Sequence, residues 1–222
     1  MKVLLTTLNS KFIHTNLAIR YIKESIKDLV DVDIREYTIN NQLDYILKDI
    51  YLAKYDAIFF STYIWNIYDI VKLCENIKKV NPNVIIGLGG PEVSYDSEEA
   101  MEKYEFVDYI IRGEGEMVMR DLMKHFHGEM DIKHVDGITY RQDGKIIQNK
   151  ERMLLADLDL IPSPYENLDI TEYENRIVYY ETSRGCPFNC QYCLSSAIKG
   201  LRYFGIDRVK RDLKNLIDAR VS

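Results

Sequence analysis

Two rhythms of hydrophobic residues alternate through the first 130 positions. Short, almost uninterrupted apolar runs occupy residues 2–8 (KVLLTTL), 32–37, 56–62 (DAIFFST), 84–88 (VIIGL) and 107–112 (VDYIIR). Between them, apolar residues recur every three to four positions, as one buried helix face requires. Leu17, Ile19, Ile22, Ile26 and Leu29 mark a helix over 15–29, and Leu43, Ile46, Leu47 and Ile50 another over 43–53. A third is predicted over 67–80, stopped by the breaker pair Asn81–Pro82. A short helix over 94–104 follows, and a last one runs from the turn after the fifth strand to about residue 126.

Five strand–helix units in series predict an α/β fold. Strands apolar along their whole length suit a parallel sheet covered on both faces, and right-handed crossovers make that sheet doubly wound. The expectation is a flavodoxin-like (Rossmann-like) five-stranded parallel sheet in the order 2-1-3-4-5. Ligands of such sheets bind beyond the carboxyl ends of the strands. Those ends carry Asn9–Ser10–Lys11, Ser61–Thr62–Tyr63, Gly89–Gly90–Pro91–Glu92 and Gly113–Glu114–Gly115–Glu116. Any one of these loops alone reads better as plain turn chemistry. Four on one edge, with glycine for close backbone approach and hydroxyls for hydrogen bonds, point to a broad or phosphate-bearing ligand. No G-x-G-x-x-G follows the first strand and no G-x-x-x-x-G-K-[ST] occurs, so the commonest nucleotide cradles are missing.

Residues 136–149 (DGITYRQDGKIIQN) read as a hairpin turning at Asp143–Gly144. Residues 151–175 hold two prolines and many acids and read as an extended linker pinned by apolar side chains. The organisation expected is a Rossmann domain over 1–130, hairpin and linker over 131–175, and a further unit over 176–222. With 46% hydrophobic and 29% charged residues the 222-residue chain has the composition of a globular protein. It lacks the roughly 20-residue apolar run of a membrane helix and a cleavable leader, so the cytoplasm is the expected location. A net charge of −6 gives no general attraction for nucleic acid. The basic cluster Arg202, Arg208, Lys210, Arg211 and Lys214 reads as the solvated face of a helix.

Chemistry concentrates near the end. A predicted strand, 177–181 (IVYYE), runs into TSRGCPFNCQYC, with Cys186, Cys190 and Cys193 spaced C-x₃-C-x₂-C. The remaining cysteine, Cys74, sits in a helical apolar stretch and reads as a small buried hydrophobe. Three thiolates on one loop suit three corners of an iron–sulfur cluster. Structural zinc takes four ligands, and His125, His127 and His134 lie far off in sequence. A non-catalytic zinc or iron–sulfur module is the alternative.

TSRGCPFNCQYC resembles the cluster loop of the radical S-adenosylmethionine (SAM) enzymes. The flavodoxin-like half, the GGP and GEGE loops, the DGITYR hairpin and the proline-bearing linker resemble the subgroup of that superfamily with an N-terminal cobalamin-binding domain. The resemblance implies that Cys186, Cys190 and Cys193 hold a [4Fe–4S] cluster and that Tyr192 lies near the adenine of SAM. It implies reductive cleavage of SAM to methionine and a 5′-deoxyadenosyl radical, with the electron supplied by a reductant such as flavodoxin or ferredoxin. It implies cobalamin over the strand ends, against Ser61, Thr62, Gly89, Gly90, Pro91, Gly113, Glu114 and Gly115, and methyl transfer as one reaction. An enzyme of this kind whose Rossmann domain binds no cobalamin is the other reading.

Two departures bear on this. His14, in SKFIHTN, lacks the Asp and Gly of the D-x-H-x-x-G motif that supplies a cobalt ligand in mutase-type domains, and reads as a polar residue leading into a helix. A complete β/α barrel needs roughly 200 residues or more, and the residues after Ile177 supply only its beginning. The chain therefore reads as an N-terminal fragment with an incomplete radical SAM barrel, inactive in SAM cleavage by itself.

Overall fold

The structure is a computed structural model that describes residues 1–166, 169–188, 190–197 and 200–219. Its centre is a parallel sheet formed by β1 (Lys2–Asn9), β2 (Asp31–Thr38), β3 (Ala57–Ser61), β4 (Ile85–Gly89) and β5 (Tyr109–Ile111). The strand order is β2-β1-β3-β4-β5, as the apolar runs predict. The hairpin β6 (Ile138–Gln142) and β7 (Lys145–Gln148) does not stand apart in a connecting segment. It adds to β5 antiparallel and makes the sheet seven-stranded. Burial explains this: Ile138 and Tyr140 find a covered face only beside β5, opposite Ile111 and Tyr109.

Helices cover both faces. α1 (Leu17–Ile26) and α6 (Gly115–Phe126) pack on one side with Val3, Leu5, Ala57 and Phe59. α2 (Leu43–Ala53), α3 (Ile67–Val80) and α5 (Ser97–Lys103) cover the other, over Leu4, Leu8, Ile58, Phe60 and Ile86. Neighbouring residues of a strand thus feed opposite cores, which is why the strands are apolar throughout. Cys74 is fully buried in the second core, where desolvation raises its thiol pKa. The helix expected over 94–104 is two pieces, α4 (Pro91–Ser94) and α5. Pro91 takes the first helical position, where its missing N–H costs nothing, and Asp96 breaks the run.

The linker is pinned as expected. Leu158 and Ile161 sink with Tyr21, Phe204 and Val209 into a third apolar cluster, and Tyr165 and Tyr173 are also buried. Residues 177–181 are not a strand. Their ladder is a single bridge, Ile177 to His14, with Ile177 N–H donating to the Ile13 carbonyl at 2.6 Å. Apolar content makes β structure only beside a partner, and these side chains are drawn to separate partners instead. Tyr179 meets His14 and Glu181 meets Arg184. The strand pair before and after the cysteines is β8 (Ser183–Arg184) with β9 (Arg202–Tyr203), leading to α7 (Ile206–Asp218). The basic cluster is not one solvated face: Arg208 is buried and Arg202 is ion-paired to Glu114. Among the described residues no helix is long and apolar enough to cross a membrane.

Candidate functional site

The parallel strands end together on one edge, and the residues there divide into braces and lining. Ser61 and Thr62 are braces. Thr62 is fully buried, and both its N–H and its hydroxyl donate to the Gly89 carbonyl at 2.7 Å, tying β3 to β4. The Ser61 hydroxyl accepts from Asn16 Nδ2 at 3.1 Å, while the Asn16 Oδ1 caps α1 by accepting from the Ile19 N–H. Asn66, also fully buried, donates to the Leu8 and Ser61 carbonyls and accepts from the Tyr63 N–H. These two asparagines fix the ends of β1 and β3. The sequence reading missed them, although asparagine one residue ahead of a helical pattern is a capping signal.

Gly90, Pro91, Gly113 and Glu114 line a cleft of about 710 Å³ beyond β4 and β5. Its other walls are Ser94, Tyr95, Arg112, Glu116, Met117, Gly137, Gln148, the strap from Glu151 to Leu155, and Leu194. Gly90 has φ 105°, and a Cβ there would press into the Thr62 carbonyl oxygen. Gly113 has φ 72° with nothing within 4 Å of where a Cβ would stand, so its bareness leaves room in the cleft. Gly115 plays a different part: a Cβ would meet Ile22 Cδ1 at 2.9 Å, so it lets α6 approach α1. Gly89 serves mainly through its carbonyl, which Thr62 holds. The volume is in the range of small-molecule sites, which span roughly 300–1,000 Å³.

The cysteine loop lies near the same edge. Cys186, Cys190 and Cys193 are half-buried, Tyr192 is exposed, and Asn189 lies outside the described residues. Among the described residues no three His, Cys, Asp or Glu side chains surround a point where one metal ion would sit. A cluster places its three thiolates on three different irons, so it asks for three cysteines on one loop rather than convergence on one point. The donor set fits that group. The base of the loop is held by an ion network that the sequence reading did not single out. Arg184 Nη2 donates to Glu116 Oε1 at 2.6 Å and to Glu181 Oε1 at 2.7 Å. Arg202 donates to both Glu114 oxygens and to the Leu155 carbonyl. Burial, with the carboxylates of Glu116 and Glu114 nearby, raises the Glu181 pKa, while Arg184 opposes that shift.

His14 touches neither the cleft nor the thiols. Its Nδ1 is 2.5 Å from the Tyr179 hydroxyl.

This α/β sheet, with its glycine-lined cleft beyond the strand ends, matches the family described as B12 binding domain over residues 3–123, and the chain belongs to that family. Among its relatives is the uncharacterised methyltransferase PH0819 of Pyrococcus horikoshii, 34% identical over 155 residues, a match covering 67% of this chain and 34% of the relative. Another is the anaerobic magnesium-protoporphyrin IX monomethyl ester cyclase of a Synechocystis species, 34% identical over 116 residues, covering 50% of this chain and 23% of the relative. The fold is shared, at a TM-score of 0.81 and 22% identity, with the cobalamin-dependent SAM radical enzyme OxsB, solved with aqua-cobalamin and SAM bound. That match covers 98% of this chain and 32% of OxsB. The chain thus spans about a third of the length of these proteins or less.

Proposed function

We propose that this chain is the cobalamin-binding and cluster-bearing part of a radical SAM enzyme, and that its reaction is methyl transfer. The observation that carries the reading is the cleft beyond β4 and β5, open at Gly113 and floored by Gly90, in a chain of the B12 binding domain family. PH0819, by name a methyltransferase, supports methyl transfer over the ring closure named for the Synechocystis relative, since its match covers more of this chain.

When bound, the cluster supplies an electron for reductive SAM cleavage and the corrin a methyl carrier; the protein positions both and keeps out water. Cys186, Cys190 and Cys193 would hold the cluster, and Tyr192 would cover the adenine once SAM is present. Gly90, Pro91, Gly113 and Glu114 would face the corrin. Ser61, Thr62, Gly89 and Gly115 would support that face from behind. No histidine is among the described residues that line the cleft. A flavodoxin- or ferredoxin-like reductant would be the electron-donating partner.

Titration with aquacobalamin, followed by absorption, tests the reading. Saturable binding with a base-off spectrum is expected. No binding at high cobalamin concentration, with the protein folded by circular dichroism, would overturn it.

A further inference from the structure

The turn Gly113–Glu114–Gly115–Glu116 faces two ways. Gly113, Glu114 and Glu116 line the cleft, and the carboxylates of Glu114 and Glu116 also grip the base of the cysteine loop. Arg184 lies two residues before Cys186, and Arg202 lies nine after Cys193. The two arginines are direct partners in the β8–β9 pair, Arg184 opposite Arg202. Like charges directly across an antiparallel pair repel. Here Glu114 accepts from Arg202 and stands 3.6 Å from Arg184, and Glu116 takes Arg184 at 2.6 Å. The strand pair that closes the loop therefore depends on carboxylates 68 and 88 residues away in the chain.

The rest of the surroundings make the grip rigid. The Arg184 guanidinium lies 5.3 Å from the Tyr21 ring centre and 5.9 Å from that of Phe204, and those two rings stack on each other. Arg184, Arg202, Glu114 and Glu116 are all largely shielded from solvent. Bidentate arginine–carboxylate contacts fix orientation as well as distance. A shielded network of this sort carries more weight than an exposed surface pair.

We propose that Arg184 and Arg202, with Glu114 and Glu116, form a positioning clamp that fixes the cysteine loop to the rim of the cobalamin cleft. What occupies the two ends rests on the function proposed above; the clamp itself is a property of the chain. Filling the cleft against Glu114 is then felt at the loop, and the linkage is reciprocal.

Hydrogen–deuterium exchange on the whole protein tests this, first without cofactors. Arg184→Gln should speed exchange of the amides in 182–186 and 202–204 by about tenfold while β1, β3 and β4 keep their protection. Glu116→Gln should loosen the same amides, and the double variant should add little to either single change, as coupled partners do. Arg184→Lys should recover part of the protection. Unchanged exchange in Arg184→Gln, additive effects, or faster exchange throughout the sheet would each overturn the clamp. Aquacobalamin is then added. The wild-type protein should gain protection at 182–186, and Arg184→Gln should bind within roughly threefold of the wild-type Kd yet lose that transmitted protection. Equal protection in both proteins, or collapse of binding in Arg184→Gln, would also overturn it. Failure of the wild-type protein to bind aquacobalamin would strike the proposed function alone, and the cofactor-free exchange would still decide the clamp.

Discussion

At the scale of single residues, two glycines on the same rim are bare for different reasons. Both sit at positive φ, where a side chain strains the backbone. Only Gly90 is also pressed against a neighbouring strand, through the Thr62 carbonyl that closes the β3 end. Gly90→Ala should therefore cost more stability than Gly113→Ala, about 1–3 kcal/mol against about 1 kcal/mol. Urea unfolding midpoints compare the two directly. In cobalamin titrations Gly113→Ala should be the more selective lesion, because its new methyl group enters open cleft and little else. Residue type alone did not separate these roles. Gly90, Gly113 and Gly115 looked alike in the sequence, and each differs by what stands opposite: a carbonyl, empty space and Ile22.

Elements were legible where periodicity and burial agree. The helices over 43–53 and 67–80 form between the bounds their apolar stripes define, and the five parallel strands lie in the expected order. Periodicity did not show that 177–181 lacks a ladder, because pairing depends on a neighbour far off in sequence. It also did not show how α7 is anchored. That helix buries a charge: Asp212 is fully covered, accepts from Ser163 Oγ at 2.8 Å and lies 3.6 Å from Arg208 Nε. Arg208 in turn donates to the Leu158 and Ile161 carbonyls, so helix and linker are joined by polar groups under an apolar cover. Replacing Asp212 by Asn leaves buried Arg208 with only the exposed Asp159 carboxylate, 3.9 Å away, as counter-charge, and about 3 kcal/mol should be lost from the docking of α7. Limited proteolysis should then cut within α7 while the sheet stays intact.

At the scale of the whole molecule, the sheet and the thiol chemistry are separable in energy though joined in space. Cys186, Cys190 and Cys193 belong to none of the three apolar clusters. The triple variant with alanine at those positions should lose iron and sulfide after anaerobic reconstitution, keep its affinity for aquacobalamin and melt within about 2 °C of the wild-type protein. Loss of cobalamin binding in that variant would show that the loop helps build the cleft. The spacing of the thiols marked out the cysteine loop, and the glycine-bearing strand ends made the cleft edge readable. The ion pairs between them were not, since Glu114 and Arg184 become neighbours only once the sheet is wound. The outer margin of that sheet bears on a different hazard. β2 is an edge strand of eight residues, and among the described residues no other strand pairs with one side of its backbone ladder. Such a margin invites another chain to add on and start aggregation. Along β2, Asp31, Asp33 and Arg35 recur at every second position, with Asp33 and Arg35 tied to Lys2 and Asp49. An incoming strand would have to break those pairs and bury their charges, so the same residues that hold the edge in place also discourage self-templating at high concentration.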